Sequence, residues 1–187
     1  MGATHPTTMK AVVVTLLLFL GAFLLLNNSP AGTTIEYVGE TAMRPFRYAS
    51  LLAKEPEEKI RIPIRDLKPT QIANTWGAPR GADRRHQGQD LFAKRGTPVF
   101  SATEGYVWRK GENSLGGNTV WVIGAGGRVY YYAHLDRYAE NLKVGDAVTT
   151  ETVIGYVGNS GNAKGTPPHL HFGVYTSTGA IDPLGLF

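Results

Sequence analysis

Residues 168–175 read Pro168-His169-Leu170-His171-Phe172-Gly173-Val174-Tyr175. Proline opens the run, apolar and polar side chains alternate, and β-branched and aromatic residues dominate it, which is strand periodicity. Side chains two apart in an extended chain share a face. His169 and His171 therefore stand together on one side, with Leu170 and Phe172 turned to a core on the other. Runs of the same kind recur between glycine punctuation: Thr97 to Ala102, Tyr106 to Arg109, Thr119 to Ile123, Val129 to His134 and Val153 to Val157. None of these runs carries an apolar stripe of helical length. The expectation is an all-β domain of antiparallel sheets joined by tight turns. Internal repeats and low-complexity segments are absent from the sequence.

Composition agrees. The chain has 187 residues, of which 42% are hydrophobic, 18% charged and 23 are glycine. Such a length holds one ordinary domain and a short leader. The formal charge is +4, but the basic residues are scattered, which argues against nucleic acid as a partner. No nucleotide-binding glycine motif is present. There is no cysteine, so a metal site would have to be built from His, Asp or Glu.

From Ala11 to Leu26 the chain is apolar apart from Thr15 and Gly21, with Lys10 before it and Asn27, Asn28, Ser29 and Pro30 after it. As a helix this run would be about 24 Å long, short of a hydrocarbon core of roughly 30 Å. Residues 1–31 are therefore expected to be a signal peptide cleaved after Ala31, with an uncleaved membrane anchor through residues 11–26 as the alternative. Either form implies export, to the periplasm, the cell envelope or the exterior, and the anchored form implies attachment to the inner membrane. Residues 32–59 are polar and mixed and read as a linker, with one short helix around Tyr48 to Ala53. Ile60, Ile62 and Ile64 alternate with Arg61, Pro63 and Arg65, so an edge strand is expected there, opening a compact domain over residues 60–187.

Five histidines are present, and all but His5 fall in strand-like stretches flanked by glycine or proline. Arg85-His86-Gln87-Gly88-Gln89-Asp90 sets an imidazole and a carboxylate four apart, and Gly88 disfavours a helix. In an extended chain both could face one metal ion. Tyr132-Ala133-His134-Leu135 ends another run with an imidazole. Singly, each is explained as a structural residue or a surface pair. Together they are more than packing needs. A catalytic zinc takes three protein ligands and keeps one open position, which leaves two histidines over.

The motifs His86-x-Gly88-x-Asp90, Tyr132-Ala133-His134-Leu135 and His169-Leu170-His171-Phe172 combine with residues 96–107 (GTPVFSATEGYV), residues 155–161 (GYVGNSG) and the closing Asp182-Pro183. In this combination the chain, from Ile60 to Phe187, resembles the lysostaphin-type zinc peptidases, most of which cut peptide bonds in peptidoglycan. The resemblance implies a small β-sandwich-like domain (the lysostaphin-type or duplicated hybrid motif fold) with a groove over one sheet. It also implies one zinc ion on His86, Asp90 and His171, with His134 and His169 as catalytic bases and a peptidoglycan peptide as substrate. One departure is Thr149-Thr150-Glu151-Thr152 where the family has a glycine-rich turn. A non-catalytic member that binds the wall or activates a hydrolase would be marked by a lost ligand, and none is lost. A metal carrier would not need the two additional histidines.

Overall fold

The computed structural model describes residues 46–187 except Ala82. The leader, and the linker as far as residue 45, lie outside the described residues. Nine strands are present among them: β1 (Gln89–Phe92), β2 (Pro98–Phe100), β3 (Gly105–Asn113), β4 (Gly117–Ile123), β5 (Val129–Tyr138), β6 (Ala147–Val148), β7 (Val153–Val157), β8 (His169–Thr176) and β9 (Gly179–Ile181). Every pairing is antiparallel, and the main sheet runs β1-β8-β5-β4-β3-β6, with β9 on β8, β7 on β5 and β2 on β7.

β5 organises the molecule because it changes partner along its length. Val129 to Ala133 pair with β8, whereas Leu135 to Tyr138 pair with β7. The change falls at His134, whose φ of 62° is left-handed, an uncommon conformation for a residue with a side chain. The ladder breaks there, and the His134 amide instead donates to Gly116 O at 2.7 Å. Splaying two strands away from one point opens the sheet above it.

The alternation read from the sequence holds. Leu170, Phe172 and Val174 of β8, Tyr130 and Tyr132 of β5, and Val120 and Val122 of β4 are wholly buried and share one core with Leu91, Val99, Val107, Ile154 and Val157. Burying each such side chain is worth roughly 1.5–3 kcal/mol. The Tyr132 hydroxyl, buried with them, accepts a hydrogen bond from Ala102 N at 2.9 Å, which makes this residue structural. His169 and His171 sit on the opposite face of β8.

One expectation is corrected. Ile60 to Ile64 do not form a strand. Ile60 N donates to Leu186 O, Arg61 N to Ala102 O, and Pro63 O accepts from Phe100 N. The bonds of Arg61 with Ala102 and of Pro63 with Phe100 make a single antiparallel step beside the end of β2, and Pro63 has no donor to extend it into a ladder, although Ile64 is buried as the pattern requires. One compact unit spans Ser50–Phe187. A helix over 46–52 lies near the one expected, and the charged stretch after it is used by the fold. Glu57 accepts from Thr103 Oγ1 at 2.6 Å and Tyr130 Oη at 3.2 Å, and its carbonyl accepts from Arg128 Nη1 at 2.6 Å. The Thr149–Thr152 departure is a turn closed by Thr152 N to Thr149 O at 2.9 Å and by Thr149 N to Thr152 Oγ1 at 3.0 Å. No helix among the described residues is long and apolar enough to cross a membrane.

Candidate active site

All five residues singled out in the sequence meet on the open face of the sheet, beside the bend in β5. Asp90 on β1 pairs directly with His171 on β8, and His171 pairs with Ala133 on β5, so pairing register alone brings β1, β8 and the His134 bend together. Gly88 is required here for close approach. A Cβ on it would lie 2.7 Å from both His171 Cε1 and Phe172 O, so any side chain would push β1 away from β8.

Hydrogen bonds to carbonyls settle which ring nitrogen carries a proton, since a carbonyl only accepts. His86 Nδ1 donates to Thr75 O at 2.7 Å, His134 Nδ1 to Ser160 O at 2.9 Å and His169 Nδ1 to Pro167 O at 2.9 Å. In the neutral rings each Nε2 is then left with a lone pair. His86 Nε2 lies 2.8 Å from His171 Nδ1 and 3.0 Å from Asp90 Oδ1, and His171 Nδ1 lies 3.3 Å from the same oxygen.

These three atoms converge from two imidazoles and a carboxylate, a donor set suited to zinc, and a tetrahedral site with bonds of about 2.0 Å would separate its ligands by about 3.3 Å. The residues present fit a single metal ion. The other carboxylate oxygen, Asp90 Oδ2, is held by the Arg80 guanidinium, which turns Oδ1 toward the histidines. Thr75 does more than orient His86. Its hydroxyl accepts from Asp90 N at 2.9 Å, and its amide donates to the buried Gln89 side chain, which in turn donates to Asp182 Oδ1 at 2.9 Å. The closing Asp182-Pro183 thereby braces the strand that carries Asp90.

His134 and His169 stand together beside this cluster. Their rings are 5.0 Å apart, the His134 ring is 5.8 Å from His171, and His169 Nε2 is 3.9 Å from Asp90 Oδ1. Burial opposes charging of His134, the neighbouring His171 adds to the effect, and the pKa falls to about 4. Burial likewise pushes His171 down, against its bond to Asp90. At Asp90 burial opposes ionisation, but the adjacent imidazoles of His171 and His86 outweigh it and hold the carboxyl well below its usual range.

A pH dependence of stability follows. An imidazole in the unfolded chain titrates near 6.5, whereas folded His134 takes a proton only near pH 4. Between those values the unfolded state binds more protons, so stability is complete above about pH 6.5 and is lost as pH falls toward 4. The metal-free domain is expected to lose about 2 kcal/mol through His134 between pH 7.5 and pH 5, read from urea midpoints. His134→Gln should flatten that slope, and an equal slope in the variant would contradict this assignment.

The cluster opens into a groove of about 650 Å³. It is lined by Arg80, Asp83, Arg84 and Arg85, by Leu115, Asn162, Ala163 and Thr166, and by Tyr131 and Tyr175. Strand parity could have found the two tyrosines, because Tyr175 shares a face with His171, and Tyr131 faces away from the buried Tyr130 and Tyr132. Arg80 and Thr75 precede β1 in irregular chain, where no periodicity points to them.

The profile of peptidase family M23 matches residues 84–183, more than half of the chain. The chain belongs to peptidase family M23. Among relatives, it is 40% identical over 116 residues to the L-Ala--D-Glu endopeptidase of Bacillus subtilis, covering 58% of this chain and 36% of that protein. It therefore spans little more than a third of that relative's length. Among solved structures, the catalytic domain of lysostaphin from Staphylococcus simulans, described as an antimicrobial peptidase, aligns with a TM-score of 0.54 at 32% identity, over 62% of this chain and 92% of that one. A zinc-containing peptidase from Vibrio cholerae aligns with a TM-score of 0.54 at 28% identity, over 61% of this chain and 36% of that one. The antiparallel β architecture is thus the M23 fold. The matched span runs from just before His86 to Pro183 and so includes all five residues of the cluster.

Proposed function

We propose that this M23 domain is a zinc-dependent endopeptidase that hydrolyses peptide bonds in bacterial peptidoglycan. The observation that carries this reading is the convergence of His86 Nε2, Asp90 Oδ1 and His171 Nδ1 within 3.3 Å, beside two more imidazoles in one open groove. The relatives that act on L-Ala–D-Glu bonds or bear the lysostaphin name support the substrate class, and the zinc-containing neighbour supports the metal.

His86, Asp90 and His171 are the residues that would hold zinc, which when bound supplies a Lewis acid for the scissile carbonyl and for water. The remaining steps belong to the chain. Thr75 O fixes the His86 ring so that Nε2 faces inward, and Arg80 fixes Asp90. His134 is neutral at physiological pH, with its Nε2 lone pair free to take a proton from the attacking water. His169 has the same free Nε2. One of the two rings takes the water proton at Nε2, and with that proton it hydrogen-bonds the developing oxyanion and then protonates the leaving amine.

The apolar run over residues 11–26 supports placing the domain outside the cytoplasmic membrane, where peptidoglycan is. A non-catalytic role has no feature in its favour, because every member of the set is present. The test is digestion of purified peptidoglycan by the zinc-loaded protein with mass analysis of the products. New amino termini at stem or bridge peptides are expected. Ready cleavage of unrelated proteins with several peptidoglycan types left intact would overturn the substrate.

A further inference from the structure

Residues 77–80 and 84–86 pair as the two arms of a small hairpin beside the groove. Gly77 N donates to His86 O, His86 N to Ala78 O and Arg80 N to Arg84 O, each at 2.9 Å, and Pro79 forms an antiparallel bridge with Arg85. The hairpin is fixed to the site by the ion pair of Arg80 with Asp90. Arg80, Arg84 and Arg85 all line the groove, but they are not equivalent. Arg80 is engaged with Asp90, and Arg85 Nη1 reaches Gly77 O at 3.5 Å. The Arg84 side chain has no hydrogen-bond or ion-pair partner among the described residues.

Position adds to this. Arg84 lies two residues before His86, and in extended chain the two side chains share a side, so the Arg84 guanidinium belongs to the wall that carries the His86 ring. Arg80 and Asp90 cancel, and Asp83 offsets one of the remaining two arginines, which leaves this wall cationic. Leu115, Gly116, Asn162, Ala163 and Thr166, which also line the groove, carry no charge. A ligand in the groove meets cationic side chains at Arg84 and Arg85 and an otherwise largely uncharged lining beyond the His/Asp cluster.

We propose that Arg84 is a specificity-determining residue that binds a free carboxylate on the substrate, on a residue flanking the bond to be cut. This rests on the peptidase reading above and names a chemical feature of its substrate. A guanidinium whose donors are unused among the described residues matches a carboxylate in planar, two-point geometry. A carboxamide keeps the shape and loses the charge, so the groove would favour acidic peptides over their amidated forms.

The experiment uses a peptidoglycan stem tetrapeptide with free carboxylates and its fully amidated counterpart. Binding is measured by calorimetry on full-length zinc-loaded protein carrying His134→Ala, so that turnover does not interfere, and cleavage is measured on the wild type. The free-carboxylate peptide is expected to bind about tenfold more tightly. Adding Arg84→Gln should bring its affinity down to that of the amidated peptide and leave the latter unchanged, and Arg84→Lys should restore part of the difference. Equal binding of the two peptides, no binding of either, or a preference that survives Arg84→Gln would each overturn the proposal. Carboxylate-dependent binding without cleavage by the wild type counts against the peptidase reading alone, and cleavage without preference counts against Arg84 alone.

Discussion

His171→Ala is expected to abolish both stoichiometric zinc binding and peptide release. His171 Nδ1 lies within 3.3 Å of the other two donor atoms, so its removal leaves only His86 and Asp90. Removing a group that merely orients a ligand costs about 10- to 100-fold in metal affinity, and that range is a floor for removing a ligand itself. The fold should survive, because His171 lies on the groove face of β8 while Leu170 and Phe172 hold the core side. Elemental analysis of the purified variant beside a thermal melt separates the two effects. Near-stoichiometric zinc in a folded His171→Ala protein would remove this residue from the ligand set.

His134→Ala and His169→Ala are expected to do the opposite, retaining zinc and losing about 100- to 10,000-fold in rate, the usual worth of a positioned acid or base. Both rings donate Nδ1–H to a backbone carbonyl and present Nε2 to the groove, and neither Nε2 is among the three converging donor atoms. The contrast is sharpest between His169 and His171, two residues apart on one strand face. Loss of zinc in His169→Ala with retention in His171→Ala would reverse their roles. Unchanged activity in His134→Ala would remove it from the mechanism.

The parts of this molecule that could be read in its sequence are those governed by period-two alternation. Leu170 and Phe172 against His169 and His171 is the clearest case, and the strands that resemble it fell where glycine and β-branching placed them. His86 and Asp90 were legible because a histidine, a glycine and an aspartate at that spacing have few structural uses, and the close approach of Gly88 to His171 supplies the reason. Other features obey no period. Arg80 reaches Asp90 from a loop, and Glu57 latches onto Thr103 and Tyr130 from a charged stretch that composition alone assigns to solvent. Ile60 to Ile64 show the converse failure, since their alternation reflects burial of Ile64, while pairing beside β2 stops after two backbone hydrogen bonds because Pro63 has no donor to extend it. The bend at His134 was equally hidden, because a left-handed residue that is not glycine leaves no mark in the sequence.

The most direct measurement is anomalous scattering at the zinc edge from crystals of the full chain. The account predicts one peak, about 2.0–2.2 Å from His86 Nε2, Asp90 Oδ1 and His171 Nδ1, with the Nε2 atoms of His134 and His169 outside bonding distance. A peak bonded to His134 or His169, or no ordered zinc at the three converging atoms, would contradict it.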